Sequence, residues 1–246
     1  MTVLSTRKEE LKEKYGKKCD ELIKELSKDS RRIYLSIPEF EKSSSYEEYC
    51  EINGKSLYRG YYHPNPLSYF TVGYWTRGKL KKKIPNDELE RRNENFIYKY
   101  DTHKNRILIY EMYGAKPKSI EVLVKAGDIT HGYTYRGNVL YAYTKQAYRE
   151  NAPVRIERFI LQPYGHRKKC YIYEEYVFEY GKDGISSAVR IDVSKYENGD
   201  ITVVECVYEF EHDNEGYISL YRTRYPLEAS QENEYREFPP LKKIKF

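Results

Sequence analysis

The residues able to do chemistry are present but scattered. Five histidines, His63, His103, His131, His166 and His212, stand far apart. None lies three or four residues from another on a predicted helix, so no sequence-local zinc site is expected. Cys19, Cys50, Cys170 and Cys206 are never spaced two apart as a metal or redox pair would be, and reduced, partly buried thiols are expected instead. Neither common phosphate-cradling glycine loop occurs, nor does a nucleophile elbow. His103 and His212 fall in predicted turns and read as solvated imidazoles, while His131 lies in an alternating strand and could point inward. Glu174 and Glu175 must point to opposite faces of one strand. Glu209 and Glu211 share a face about 7 Å apart, a separation that suits acid–base work only inside a cleft. They read more simply as a wet face opposite Arg222 and Arg224. No catalytic residue, metal or cofactor is assigned.

The surface constellation richest in recognition chemistry is aromatic and basic: Tyr58, Arg59, Tyr61, Tyr62, Tyr69, Tyr74, Trp75 and Arg77, followed by Lys81, Lys82 and Lys83. Tyr, Trp and Arg bury large areas at low entropic cost and dominate protein interfaces. Aromatic faces can equally stack on unpaired bases while lysines neutralise phosphates, so single-stranded nucleic acid is the alternative ligand. The bland reading is sheet packing beside a solvated edge.

One helix and many strands must position these groups. Leu11, Tyr15, Cys19, Leu22, Ile23 and Leu26 fall at helical spacing, with Lys12, Glu13, Lys17, Lys18, Glu21 and Lys24 on the other faces. Thr6 followed by Glu9 offers a capping box, predicting a helix over 6–28 within an N-terminal segment 1–32 packed on a sheet. From residue 33 the period changes to two. Residues 96–100 and 107–113 read as a hairpin, and further strands are predicted at 55–62, 69–77, 120–125, 129–136, 139–144, 154–161, 170–180, 185–193, 201–211 and 217–225. Turn dipeptides Ala126-Gly127, Gly137-Asn138, Asp183-Gly184 and Asn198-Gly199 separate several of them, because tight turns need positive φ. Pro38 and the prolines near residue 65 read as loops or sheet edges. Short connections demand antiparallel neighbours, since parallel pairing needs long crossovers. The expected fold is therefore mainly β, a large antiparallel meander, open and twisted or partly closed, spanning 33–246 as one domain. A sub-boundary is expected near 85–94.

Several hairpins share a pattern: alternating aromatics, an acidic or glycine-containing turn, then a branched aliphatic. Tyr98-Lys99-Tyr100-Asp101 leads to Ile107, Phe178-Glu179-Tyr180 to Ile185, Tyr196-Glu197-Asn198-Gly199 to Ile201, and Tyr208-Glu209-Phe210 to Ile218. This pattern resembles the tyrosine-aspartate repeats of RHS-type proteins, and residues 196–199 resemble the YxNG unit of variant MORN repeats. The resemblance spans residues 96–225. It implies a small bacterial protein that neutralises a contact-dependent toxin, an immunity protein with a toxin domain as partner.

Composition bounds these readings. The chain has 246 residues, 43 Lys plus Arg against 38 Asp plus Glu, a net charge of +5, 33% charged residues and 29 tyrosines. Charge is mixed in sign, which excludes a histone-like polycation. The tyrosines make a dry aliphatic core implausible, because each hydroxyl needs water or a partner. No run reaches the roughly 18 apolar residues of a membrane helix, and no secretory leader is read at Met1 to Leu4, so a cytoplasmic location is expected. A non-catalytic, cytoplasmic protein-binding role is the first functional expectation. Single-stranded nucleic-acid binding is second, and a hydrolase built from noncontiguous strand residues is third.

Overall fold

Turn geometry sets the topology. Asp101–Asn105, Tyr196–Asp200 and Asp213–Tyr217 are equivalent five-residue reversals. In each, the first amide N–H donates to the fifth carbonyl (2.8–2.9 Å), and the fourth N–H returns to the first carbonyl (2.9–3.1 Å). The fourth residue has positive φ in all three: Lys104 (62°), Gly199 (88°) and Gly216 (78°). That is a type I turn closed by a left-handed residue, a three-residue hairpin loop whose twist matches right-handed strands. Asp101 and Asp213 also act as side-chain acceptors for amides two and four residues on (2.8–2.9 Å). Three of the four aromatic-acidic hairpins thus use one turn, while the fourth, after Phe178-Glu179-Tyr180, closes by a two-residue connection between Gly181 and Gly184.

The computed structural model describes residues 3–51, 79–81, 95–114, 116–161, 170–228 and 236–238. In chain order these hold α1 (Val3–Leu35), α2 (Ile37–Ser43), β1 (Tyr46–Glu51), β2 (Lys79–Lys81), β3 (Asn95–Tyr100), β4 (Arg106–Tyr113), β5 (Lys116–Ala126), β6 (Ile129–Arg136) and β7 (Val139–Arg149). After them come β8 (Ala152–Ile160), β9 (Cys170–Gly181), β10 (Gly184–Tyr196), β11 (Ile201–His212), β12 (Ile218–Arg224) and β13 (Arg236–Phe238). The protein is mainly β, an antiparallel meander that does not close, as the turn spacing predicts. Contacts divide it into two units, one of residues Leu26–Tyr143 and one of Met1–Glu25 with Thr144–Phe246; the chain passes between them within α1 and within β7.

Within Leu26–Tyr143 the strand order is β2-β1-β3-β4-β5-β6-β7. The chain leaves β1 for the edge strand β2 and returns to β3 on the other flank of β1, the single departure from nearest-neighbour order among the described strands. Phe96, Tyr98, Tyr100, Ile109 and Leu123 form one buried cluster, with Tyr98 fully enclosed. α2 lies near β4, where Tyr110 donates a hydrogen bond to Glu41.

In the other unit the order is β7-β8-β9-β10-β11-β12-β13, with β8 through β13 paired antiparallel in succession. The first part of α1 crosses these strands through Tyr15 and Cys19, both buried, and Tyr15 packs on Tyr173 with ring centroids 5.5 Å apart. Gly16 permits the close approach: a Cβ there would stand 2.6 Å from Ile201 Cδ1.

Three expectations are corrected. The helix runs Val3–Leu35, not 6–28, so Thr6 lies inside its first turn rather than capping it, and Glu9 pairs with Lys12 at 2.7 Å instead. Residues 33–43 are helical rather than strand or loop. Pro38 occupies the first turn of α2, where a missing N–H costs nothing, and Ser36 Oγ donates to the carbonyl of Ile33 (2.7 Å) at the junction. Strands β1, β2 and β13 were not legible as strands. The strands expected at 55–62 and 69–77 and the boundary expected at 85–94 lie outside the described residues.

Candidate functional site

Tyr58, Arg59, Tyr61, Tyr62, Tyr69, Tyr74, Trp75, Arg77, Lys82 and Lys83 lie outside the described residues, as do His63 and His166. Lys81 closes β2, in register with Tyr49 of β1. The polar organisation that the described residues do show is elsewhere, around the first part of α1.

Strand alternation and register place three glutamates in one row beneath that helix. Glu157 of β8 is opposite Glu175 of β9, which is opposite Ile191 of β10, which is opposite Glu205 of β11. All three carboxylates are buried. Each is met by a different side chain of α1: Glu205 by Arg7 (2.7 Å), Glu175 by the Tyr15 hydroxyl (2.5 Å) and Glu157 by Lys18 (3.1 Å). Arg155 of β8 ties the row together, bonding Glu175 and lying 3.2 Å from Glu157. Opposite this row, Lys195 of β10 reaches Asp20 at 2.5 Å and the Gly16 carbonyl at 3.4 Å.

The electrostatics of this row are those of a structural lock. Burial alone would raise the Glu157 pKa, but hydrogen bonding and charge from Lys18, with Arg155 and Lys145, outweigh it and hold the carboxyl below its ordinary range. Burial, reinforced by the Glu175 carboxylate, pushes the Tyr15 phenol above its usual value, and Tyr173 moves the same way chiefly through burial. Neither group is suited to proton transfer near neutrality. The same tyrosine-to-carboxylate device recurs in the other unit: Tyr49 donates to Glu47 (2.8 Å) and Tyr100 to Glu48 (2.6 Å). Carboxylates are thus one recurring partner for tyrosine hydroxyls, beside backbone carbonyls such as that of Ser30, which accepts from Tyr135 at 2.7 Å.

Next to the lock, α1 and the β10–β11 turn flank a shallow, open cleft of about 820 Å³, lined by Thr6, Glu9, Glu10, Lys12, Glu13, Tyr196, Gly199, Asp200, Ile201 and Thr202. Four carboxylates face one lysine. Glu9 is paired with Lys12 and Glu13 with Lys17, both at 2.7 Å, while Glu10 and Asp200 add further acidic groups to the lining. The cleft can take a cation or a basic segment but holds no nucleophile set beside a base.

Other candidates for chemistry are quiet. Cys19, Cys170 and Cys206 are buried thiols whose pKa values burial raises, Cys19 to about 11. His131 does turn toward a partner, with Nδ1 2.8 Å from the Tyr143 hydroxyl. Glu211 pairs with Arg222 at 2.5 Å, and Glu174 and Glu175 occupy opposite faces, as their spacing requires. Among the described residues no group of three or more His, Cys, Asp or Glu side chains is arranged to hold a metal ion, and no helix is long and apolar enough to cross a membrane.

The lock glutamates were missed because a Glu in an alternating strand reads as solvent-facing, and Lys18 was placed on the wet side of α1. The available signal was the spacing of Arg7, Tyr15 and Lys18, three long side chains with polar tips along one flank of a helix whose stripe is otherwise apolar. No family model, curated protein or solved structure matches this chain.

Proposed function

We propose that the protein is a non-catalytic binding protein that neutralises a protein partner, most concretely a bacterial toxin domain, by occupying a basic surface of that partner. The observation that carries this reading is the anionic cleft between α1 and the β10–β11 turn. A net charge of +5 would by itself argue against docking on a basic enzyme. Charge is not uniform, however: the cleft brings Glu9, Glu10 and Glu13 of α1 together with Asp200 of the turn, and complementary potential governs encounter and specificity more than net charge does. The cleft's walls are fixed from behind, because the helix carrying Glu9, Glu10 and Glu13 is pinned by the Arg7, Tyr15 and Lys18 contacts. A preorganised surface of this kind loses little entropy on binding. The paired state of the described carboxylates and the raised pKa values of the buried phenols and thiols support binding over catalysis.

Reversing charge in the cleft with Glu10→Lys and Asp200→Lys tests the reading. Tagged wild-type and reversed proteins are used for capture from cells of the source organism, followed by titration of the captured partner at two salt concentrations. A basic protein held by the wild type should bind the reversed form at least about tenfold more weakly, with the difference shrinking at high salt. Equal retention by both forms, or retention of nucleic acid alone, would remove the proposal.

A further inference from the structure

A second polar site lies on the face of β8, β9 and β10 turned away from α1. Arg158, Glu174 and Asp192 follow Glu157, precede Glu175 and follow Ile191 respectively, so strand alternation puts them on the opposite face, and register aligns them in one row that Val204 of β11 completes. The next row brings Arg190 beside Tyr176, its guanidinium carbon 5.6 Å from the ring centroid.

The four charges are not equally satisfied. Arg190 grips Asp192 with two hydrogen bonds, Nε to Oδ1 at 2.9 Å and Nη2 to Oδ2 at 2.8 Å. Glu174 receives only distant contacts, 3.4 Å from Arg158 Nη1 and 3.9 Å from Arg190 Nη2. The Nε of Arg158 is buried with no hydrogen-bond partner. Yet the four side chains keep 17–30% exposure, so the site is open to a ligand. Arg158 and Glu174 therefore stand side by side as a planar donor and a planar acceptor joined by one long hydrogen bond, and it is their part-exposed terminal atoms, not the enclosed Nε, that have capacity to spare.

The charge sum selects the ligand. Two arginines and two carboxylates cancel, so a charged group arriving here would leave one charge uncompensated in a partly desolvated place. A neutral group offering an acceptor and a donor in one plane costs no such penalty. We infer that Arg158 and Glu174 form a carboxamide-binding site, Arg158 donating to the carbonyl and Glu174 accepting from the NH2 of an Asn or Gln side chain, with the exposed Val204 available to its methylenes. This rests on the reading of the chain as a protein-binding molecule, since such a side chain would be presented by a partner.

The test uses the full chain and three small probes: the N-acetyl, N-methylamide derivatives of glutamine, glutamate and methionine. Following the Arg158 Nε–Hε resonance by NMR, the glutamine probe should shift it saturably, and the other two should bind at least about tenfold more weakly. Glu174→Gln gives the site a net positive charge and should reverse the preference, the glutamate probe now binding more tightly than the glutamine probe. Backbone amide shifts of β9 and β10 report that the variant is folded. Equal responses to all three probes, no response to glutamine, or an unchanged preference in the folded Glu174→Gln protein would overturn the inference. Glu10→Lys with Asp200→Lys should leave the probe response intact, so failure here with charge-dependent capture intact would sink this site alone.

Discussion

Removing Arg7 should destabilise the protein far more than an exposed arginine would lead one to expect. Its guanidinium is 2.7 Å from Glu205, whose side chain is only 7% exposed while that of Arg7 is 52% exposed. Glu205 Oε2 already lacks a hydrogen-bond partner, so Arg7→Met leaves an ionised carboxylate buried without its ion pair. Breaking a fully buried pair costs about 3–5 kcal/mol. Because water reaches the arginine side, the figure falls to about 1–3 kcal/mol. With a urea m-value of about 3 kcal/mol/M for a chain this long, the midpoint should drop by about 0.3–1 M, followed by far-UV circular dichroism. Pairing Arg7→Met with Glu205→Leu removes the stranded charge as well, and the double variant should recover most of the loss, because a buried ion pair exchanged for apolar groups is often nearly neutral. A double variant at least as unstable as the sum of the singles would refute this reasoning and make the arginine's stem, not its charge, the source of stability.

Lys104 holds positive φ (62°) where the two equivalent turns carry glycine, so Lys104→Gly should stabilise by about 0.5–1 kcal/mol, read as a raised urea midpoint. Gly16→Val should cost about 1–3 kcal/mol, since even a Cβ would stand 2.6 Å from Ile201 Cδ1 and a branched chain must push α1 off β11. The Glu157 carboxyl is held below its ordinary pKa of 4.5 in the folded chain, so its contribution is present above pH 4.5 and lost as pH falls through the folded value. Glu157→Gln should flatten that acid limb in a pH series of unfolding curves. Buried tyrosines run the other way. Folded pKa values lie above 10 for the buried Tyr15 and Tyr173 and reach about 12 even for the half-buried Tyr49 and the more exposed Tyr180, so stability should decline as pH rises from 10 through those values. Spectrophotometric titration should show a late, steep step coinciding with unfolding.

The meander was legible because hairpin turns are locally encoded. Gly127 and Gly137 sit at φ of 60° and 58°, and the strand ends that flank them fall within one residue of where alternation places them. Strand ends without a glycine signal were harder to place. β7 and β8 extend to Arg149 and Ala152 because Glu150 and Asn151 both adopt positive φ, a two-residue turn that a Glu in its first position conceals. The helical run through residue 35 and on into α2 was hidden by the same ambiguity: Ile33 and Tyr34 carry β-prone side chains, and the contact of Tyr34 with Tyr135 (centroids 5.3 Å apart) is tertiary. The polar lock was illegible for a deeper reason. Whether a strand glutamate faces water or a helix depends on what crosses above it, and only the fold supplies that.

That dependence explains why the interior tolerates so many ionisable groups. An apolar helix stripe on an apolar sheet face can slide by a turn at little cost, because hydrophobic contact is non-directional. Arg7, Tyr15 and Lys18 reach Glu205, Glu175 and Glu157 on three different strands, and a shift of one turn along α1 would break all three contacts at once, leaving Glu205 stranded and Glu175 and Glu157 with Arg155 alone. Single buried pairs add little net stability, but three in a fixed spacing penalise every other register. The expectation is specific: replacing Glu157, Glu175 and Glu205 together by Leu, with Arg7, Arg155 and Lys18 to Met and Tyr15 to Phe, should keep the urea midpoint within about 0.5 M of the parent. The same exchange should broaden the NMR resonances of α1 as the helix samples more than one seat. Sharp, single resonances in that variant would mean that apolar shape alone fixes the helix and that the carboxylate row contributes nothing to its register.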